Sequence, residues 1–274
     1  MKKLFLYSSL FCISAFVVSA AKAQSDSTFS LYKTIRSDIA DFTVDNLGNI
    51  YLISSGNQLK KLSSNGDSVG IFNDVRKYGK LYSIDVTNPL KMLLYYKSFA
   101  TIVVLDRFLN IQNTIDLRKQ SIFSVKAVGQ SFDNNFWIFD EQDAKLKKIG
   151  EDGKVLNETV DFRLLFDPVP SPTQIFDQDR FVYLYDSSKG MFVFDYYGSL
   201  KNNFHYTGLK NVQVIGKTIF GVKDNHFFSY TLGDIQEKLF LLPVNETTVQ
   251  KILINATGLY TLNNNELRIY HFRQ

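Results

Sequence analysis

The chain has 274 residues, 45% of them apolar and 15% aromatic, with one cysteine and a formal charge of +4. This wealth of Phe and Tyr excludes a disordered or fibrous chain and supplies a large core that needs no disulfides. Three of the positive charges, Lys2, Lys3 and Lys22, belong to an expected leader, so the mature chain carries about +1 and lacks the electrostatic footprint of a nucleic-acid binder.

Residues 1–23 read as a cleavable signal peptide. Lys2 and Lys3 give a positive start, Leu4 to Val18 is mostly apolar, and Ala21-Lys22-Ala23 offers the small-x-small cleavage pattern ahead of Gln24. The apolar run is too short and too interrupted for a membrane span, and no later segment resembles one. Cys12 lies inside this leader. It follows Ser9-Leu10-Phe11, and bulky Phe11 stands where a lipid-anchor signal needs a small residue. The expected mature protein is therefore one domain over residues 24–274, exported, without thiols or a lipid anchor. The periplasm is its expected home, with an extracellular or outer-membrane-associated site as the alternatives.

In chain order, Thr28–Ile35 is a strand with no neighbours of its own. Ile39–Val44 alternates and forms the first strand of a unit. Asn49–Ile53 is the second, Gln58–Leu62 the third and Ser68–Phe72 the fourth. Ser54-Ser55-Gly56-Asn57 and Ser64-Asn65-Gly66-Asp67 are the intervening turns, the latter carrying a hairpin-type Asn-Gly. The phrase recurs at intervals near forty residues. Tyr51, Leu94, Trp137, Tyr183, Phe220 and Tyr260 align on second strands; Leu59, Val103, Leu146, Phe192, Phe227 and Leu267 align on third strands. A four-stranded period of this size is a propeller blade. The sixth unit has strands near Val249–Ile254, Gly258–Leu262 and Glu266–Phe272 and lacks a fourth. Unpaired backbone at that edge is costly, so the N-terminal strand is predicted to complete it. The predicted fold is all-β: a six-bladed β-propeller closed by its N-terminal strand in the C-terminal blade.

The pattern Asp45-x-x-Gly48-Asn49-Ile50-Tyr51, then Gly56-Asn57-Gln58-Leu59 and Asn65-Gly66-Asp67, resembles an NHL-type repeat. Asn135-Phe136-Trp137-Ile138 to Glu151-Asp152-Gly153-Lys154 is similar. The likeness is good in units one and three, fair in four and weak elsewhere; unit two has Asn88-Pro89-Leu90 in place of the Gly-Asn turn. The resemblance implies membership of the six-bladed propeller superfamily, which hosts unrelated functions.

No residue set forms a catalytic motif. His205, His226 and His271 fall in different units without metal-ligand spacing. Gly-x-Ser-x-Gly and phosphate-loop patterns are absent. Acids cluster at Asp140-Glu141 with Asp143, and at Asp177 with Asp179. Asp41 and Asp85, on first strands, are placed to face a central channel. Some six-bladed propellers hold calcium there and hydrolyse lactones. A calcium-dependent hydrolase or a carbohydrate-binding module is therefore the alternative reading, against carboxylates that satisfy turn amides.

The connections between second and third strands, and between blades, are expected on one face. They carry Tyr78, Tyr96, Phe99, Phe123 and the long segment Leu164–Gln174 (LLFDPVPSPTQ), with Phe166, Pro168, Pro170 and Pro172. Arg76, Lys77, Lys80, Lys97, Arg118 and Lys119 lie beside them. Prolines pre-order a loop, and aromatic residues beside basic ones suit a protein-binding surface. The competing reading has these rings capping the blade tops, with Phe166 packed inward. The expected function is a non-enzymatic, cofactor-free interaction platform. Its expected partner is a protein, within an outer-membrane or type IX secretion machine whose small propeller-like subunits it resembles.

Overall fold

Runs such as Ile50–Ile53 and Phe136–Asp140 are apolar at nearly every position and buried on both faces. Such strands lie in the middle of a sheet covered on both sides, whereas Val155–Glu158 and Leu200–Phe204 are exposed along most of their length and form outer edges. In the structure, a computed structural model that describes residues 29–224, 226–242 and 249–272, these runs assemble into six four-stranded antiparallel sheets.

Blade 1 consists of β2 (Asp41–Val44), β3 (Ile50–Ile53), β4 (Leu59–Leu62) and β5 (Ser68–Phe72). Blade 2 has β6 (Ser83–Asp85), β7 (Lys91–Tyr96), β8 (Thr101–Asp106) and β9 (Ile111–Asp116). Blade 3 has β10 (Val125–Gln130), β11 (Phe136–Asp140), β12 (Lys145–Ile149) and β13 (Val155–Glu158). Blade 4 has β14 (Gln174–Gln178), β15 (Phe181–Asp186), β16 (Gly190–Asp195) and β17 (Leu200–Phe204). Blade 5 has β18 (Lys210–Ile215), β19 (Thr218–Lys223), β20 (His226–Thr231) and β21 (Lys238–Leu241). Blade 6 is β22 (Lys251–Asn255), β23 (Gly258–Asn263), β24 (Glu266–Phe272) and, from the other end of the chain, β1 (Phe29–Arg36). The fold is the six-bladed propeller expected from the repeat, and strand outweighs helix by 54% to 6%. The six aligned second-strand positions and the six third-strand positions all fall on the strands assigned to them. The first strand of blade 1 begins at Asp41, two residues later than the alternation suggests, because Ile39 turns into the core while Ala40 remains exposed. The leader and Thr28 lie outside the described residues.

The core lies between blades. Six apolar clusters occupy the six blade–blade seams: Tyr51, Leu59, Met92 and Leu94 pack between blades 1 and 2, and Phe42, Leu52, Tyr260 and Leu267 between blades 6 and 1. Each fully buried large side chain contributes roughly 1.5–3 kcal/mol, so closing the last seam, which buries Phe42, Ile50, Leu262 and Leu267, stabilises the ring substantially. At the seam of blades 3 and 4 the backbone itself approaches: a Cβ on Gly129 would lie 2.8 Å from the Ile175 carbonyl oxygen, and only glycine fits.

The Asp-x-x-Gly-Asn-x-Tyr signature of unit one has a physical explanation. Asp45 is buried, and its carboxylate accepts from Leu47 N, Asn49 N, Asn49 Nδ2 and the Tyr51 hydroxyl at 2.8–2.9 Å. Gly48, at φ +80°, closes that turn. The same device recurs at Asp106, which accepts from Phe108 N, Asn110 N and Asn110 Nδ2, and at Asp195, which accepts from Tyr197 N and Ser199 N. The aromatic position that follows is also polar in several blades. Tyr51 bonds Asp45, Trp137 Nε1 donates to Asp177 at 2.9 Å, and the Tyr260 hydroxyl lies 2.7 Å from Thr257 Oγ1. Tyr183 occupies the equivalent place in blade 4, yet its buried hydroxyl has no hydrogen-bond partner among the described residues.

β1 pairs with β24 from Phe29↔Phe272 to Arg36↔Glu266, with one bulge between Leu31 and Lys33. Phe29 packs on Phe272, Tyr32 stacks on His271 at 4.1 Å, and Arg36 meets Glu266 at 2.6 Å. Lys33 Nζ donates to Asn65 O at 2.7 Å, so the strand also reaches blade 1.

Two outcomes are expected. Deleting residues 29–36 lowers the thermal midpoint, read by circular dichroism, by about 10 °C or more, because it opens a sheet edge and weakens a whole seam; an unchanged melting curve would contradict closure by β1. Tyr51→Phe destabilises by about 1–2 kcal/mol in urea titration, whereas Tyr183→Phe is neutral or stabilising, since it removes a buried hydroxyl that gains nothing.

Candidate functional site

An antiparallel meander sends its first-to-second and third-to-fourth turns out at one end of the blade. Its second-to-third turns and blade-to-blade connections emerge at the other. The ring thus has two rims with separate chemistry.

The second rim carries the residues singled out in the sequence. Tyr78 closes a one-turn helix, α1 (Val75–Tyr78), and is buried, its ring 5.1 Å from that of buried Tyr96. Pro170 is buried too, and Phe166 is half-buried against Phe162 and Phe192. These four side chains build the wall beneath the rim, because the seams between blades 1 and 2 and between 3 and 4 extend up into the connections. Phe99, Phe123 and Pro168 remain exposed, Phe123 at 59%, and Tyr82, Leu164 and Leu165 join them. Arg76, Lys77, Lys80, Arg118 and Lys119, on the same connections, are exposed too, with Arg118 paired to Asp116 at 2.8 Å. Lys97 lies over the Tyr82 ring and 3.8 Å from Glu141.

The 164–174 connection is pinned rather than loose. Asp186, at the head of the blade 4 turn, is buried and accepts from Ser171 N at 2.7 Å and from Ser188 N and Oγ at 2.8 and 2.6 Å. Lys189 Nζ donates to the Val169 carbonyl. Glu141 gathers Ser124 Oγ at 3.1 Å and Lys126 and Lys97 from neighbouring connections. Burial pushes the Asp186 carboxyl up, but the hydrogen bonds from Ser188 and Ser171 and nearby Lys189 outweigh it and hold the group below the usual carboxylate range. Below this rim Lys147 is buried with Asp140 at 2.7 Å and also meets Asp143. Burial alone would lower its pKa, and the two carboxylates raise it instead.

The first-strand acids are engaged between blades. Asp41 Oδ1 meets Lys251 Nζ of blade 6 at 2.8 Å, and Asp85 Oδ2 accepts from Gln130 N of blade 3 at 2.7 Å. Gln213 exchanges both amide bonds with the Ile254 backbone, and Asn255 Nδ2 donates to Asp45 O, so inner-strand side chains stitch blade to blade around the ring. Among the described residues no three His, Cys, Asp or Glu side chains converge as metal ligands. His271 is committed to stacking, and His226 Nδ1 contacts Asp224 O. Among those residues, too, no helix is long and apolar enough to cross a membrane.

The opposite rim holds a feature that the sequence reading did not assemble. A cleft of about 950 Å³ opens at the channel mouth across blades 1 to 4. Asn46 and Thr87-Asn88-Pro89 line one side, Gln130, Ser131 and Asp177 the inner strands, and Phe132, Asp179, Arg180, Tyr196 and Tyr197 the other side. Asp177 is the hub. It accepts from Ser131 Oγ at 2.9 Å, Phe132 N at 3.3 Å, Trp137 Nε1 at 2.9 Å and the Tyr196 hydroxyl at 2.6 Å. Tyr196 in turn stacks on Phe132 at 4.8 Å and 11°, and Lys148, paired with Asp133 at 2.6 Å, lies 5.2–5.6 Å from the rings of Phe132, Trp137 and Tyr196. The available signal was the placement of rings inside turns: Phe132 in Ser-Phe-Asp-Asn and Tyr196-Tyr197 before Gly198, where polar residues are usual.

No family model matches the sequence, and no curated protein matches it either. Solved structures do. A streptogramin B lyase aligns with TM-score 0.59 at 14% identity over 85% of this chain and 78% of its own. The WD40 domain of Neurospora crassa Pan2 gives 0.61 at 8% identity over 90% and 96%. A catalytically inactive virginiamycin B lyase from Staphylococcus aureus, solved with quinupristin, gives 0.58 at 13% over 87% and 88%. Likeness at such identities establishes the propeller fold, which lyases and WD40 domains share.

Asp186→Ala is expected to free the 164–174 connection, so that limited proteolysis cuts there at least several-fold faster while the far-ultraviolet spectrum is retained. Because the folded carboxyl is depressed, its stabilisation is present above the unfolded value near 3.9 and fades as pH falls below it. Wild-type protein should therefore become cleavable at that connection with falling pH, and the variant's cleavage should be pH-independent over the same window.

Proposed function

We propose that this chain is a non-enzymatic, exported β-propeller that docks a protein partner on the rim of second-to-third turns and blade-to-blade connections, as a soluble subunit of an outer-membrane assembly such as a type IX secretion machine. One observation carries the reading. Exposed apolar side chains (Phe99, Phe123, Leu164, Leu165) are gathered on a rim whose backbone is fixed from below by Asp186, Lys189 and Glu141. Pre-ordered apolar side chains sharing their connections with exposed Arg76, Lys77, Lys80, Arg118 and Lys119 suit a partner with acidic residues beside its own apolar patch, because docking there costs little conformational entropy and charge steers the encounter.

The calcium-hydrolase alternative needs free inward carboxylates, and Asp41 and Asp85 are occupied between blades. A photo-crosslinking residue at Phe123 or Leu164 in cells is expected to give one discrete adduct. The same residue at Ile71, an exposed position on the outer strand of blade 1, is expected to give none. The adduct from Phe123 should disappear when Arg118 and Lys119 are both changed to Glu. Equal, diffuse labelling from all three positions would overturn the docking assignment.

A further inference from the structure

The cleft on the opposite rim has a composition distinct from the docking rim. Two aromatic side chains stand open to solvent at its edge, Phe132 at 68% and Tyr197 at 88% exposure. Phe132 is held rather than mobile. Its inner face is covered by Tyr196, and Tyr196 is fixed by its hydrogen bond to Asp177, so the outer face of Phe132 is displayed in a set orientation. The same cleft is lined by Asn46, by Asn88, whose Oδ1 accepts from Leu90 N at 3.0 Å, by Asp179, which Lys217 meets at 3.4 Å, and by Arg180.

Arg180 adds an independent observation. Asp179 and Arg180 sit at φ +50° and +70° in the tight turn between β14 and β15. Two consecutive left-handed residues are usual for Asn-Gly, and an arginine at the second position is strained. The corresponding turn of blade 5 is Gly216-Lys217, with glycine at φ +58° in the place of Asp179 and a lysine without positive φ in the place of Arg180. Blade 4 thus holds its cation at the cleft in a left-handed conformation that blade 5 avoids.

The ligand class follows from this chemistry. A flat ring beside planar hydrogen-bonding groups matches a pyranose, whose C–H face stacks on an aromatic side chain while its equatorial hydroxyls meet amide, carboxylate and guanidinium edge-on. Polyanions fit poorly, because Arg180 is the sole cation lining the cleft against Asp177, Asp179 and Asp195. A cationic peptide fits poorly as well: the inner aromatic faces are already served by Lys148, and Asp177 and Asp195 are saturated by internal donors. A volume of about 950 Å³ accommodates a few sugar rings. We propose that the channel mouth between blades 1 and 4 binds a neutral oligosaccharide, with Phe132 and Tyr197 as the stacking surface and Asn88, Asp179 and Arg180 reading hydroxyls.

The test is calorimetric titration of the folded chain with maltohexaose, cellohexaose, chitohexaose and mannohexaose, with a heparin hexasaccharide and a lysine-rich peptide as competing classes. At least one neutral hexasaccharide is expected to bind with a dissociation constant of about 0.1–1 mM, the range in which few-contact, solvent-exposed sites lie. Tyr197→Ala, at a fully surface position that leaves the melting curve unchanged, should weaken it about five- to tenfold, and Arg180→Gly should weaken it while raising the melting temperature. Phe123→Ala on the other rim should leave it unaltered. Failure of all four neutral sugars at millimolar concentration, tighter binding of heparin or the peptide, or a Tyr197→Ala affinity equal to wild type would each overturn the proposal. None of these results bears on the crosslinking outcome at Phe123.

Discussion

The pairing of Phe29–Arg36 with Glu266–Phe272 turns a row of meanders into a ring. Without it blade 6 would end in β24 with a line of unpaired N–H and C=O groups, and the seam between blades 6 and 1 would be held by side chains alone. With it, every blade has four strands and every seam has an apolar cluster, the smallest among the described residues being that between blades 5 and 6. The two rims exist as surfaces only because the circle is closed. The inner-strand stitches from Asp41 to Lys251 and from Asn255 to Asp45 span the same seam that β1 seals.

Polar groups are distributed by the same logic. Carboxylates here, Asp45 and Asp186 buried and Asp85 and Asp177 half-buried, tie turns and blades together. Asp45 saturates the first turn of blade 1, Asp85 reaches across to β10, Asp177 joins two blades and a stack of rings, and Asp186 anchors the connection that enters blade 4. A buried charge is tolerated when several donors surround it, and each of these accepts at least two hydrogen bonds. This use of acids explains why residues that looked available for a channel ion serve as mechanical joints.

The rims differ in a way that suits two kinds of contact. The rim of second-to-third turns, proposed above as the docking face, carries exposed apolar and basic side chains and is braced from beneath, so a protein could settle on it with little reorganisation. The channel mouth on the far side is concave and mixed in polarity, with rings fixed by stacking, which favours a small polar ligand. Separation of the two by the thickness of a blade means that neither occupant would obstruct the other.

The number of blades, the order of strands and the completion of the last blade by the first strand were legible from the sequence. They depend on period, turn residues and edge satisfaction, which are local or arithmetic properties of the chain. The Asp45-x-x-Gly48-Asn49 turn was legible for the same reason. Exposure of the rim residues was decided only by tertiary structure: Tyr78 and Tyr96 share their residue type with exposed Tyr197, and only the packing of one blade on the next buries the first two. The roles of Asp41 and Asp85 were likewise beyond the sequence, because their partners lie 210 and 45 residues away. The cleft at the channel mouth was the least legible feature, since it draws Asn46, Asn88, Phe132, Arg180 and Tyr197 from four blades that meet only when the ring closes.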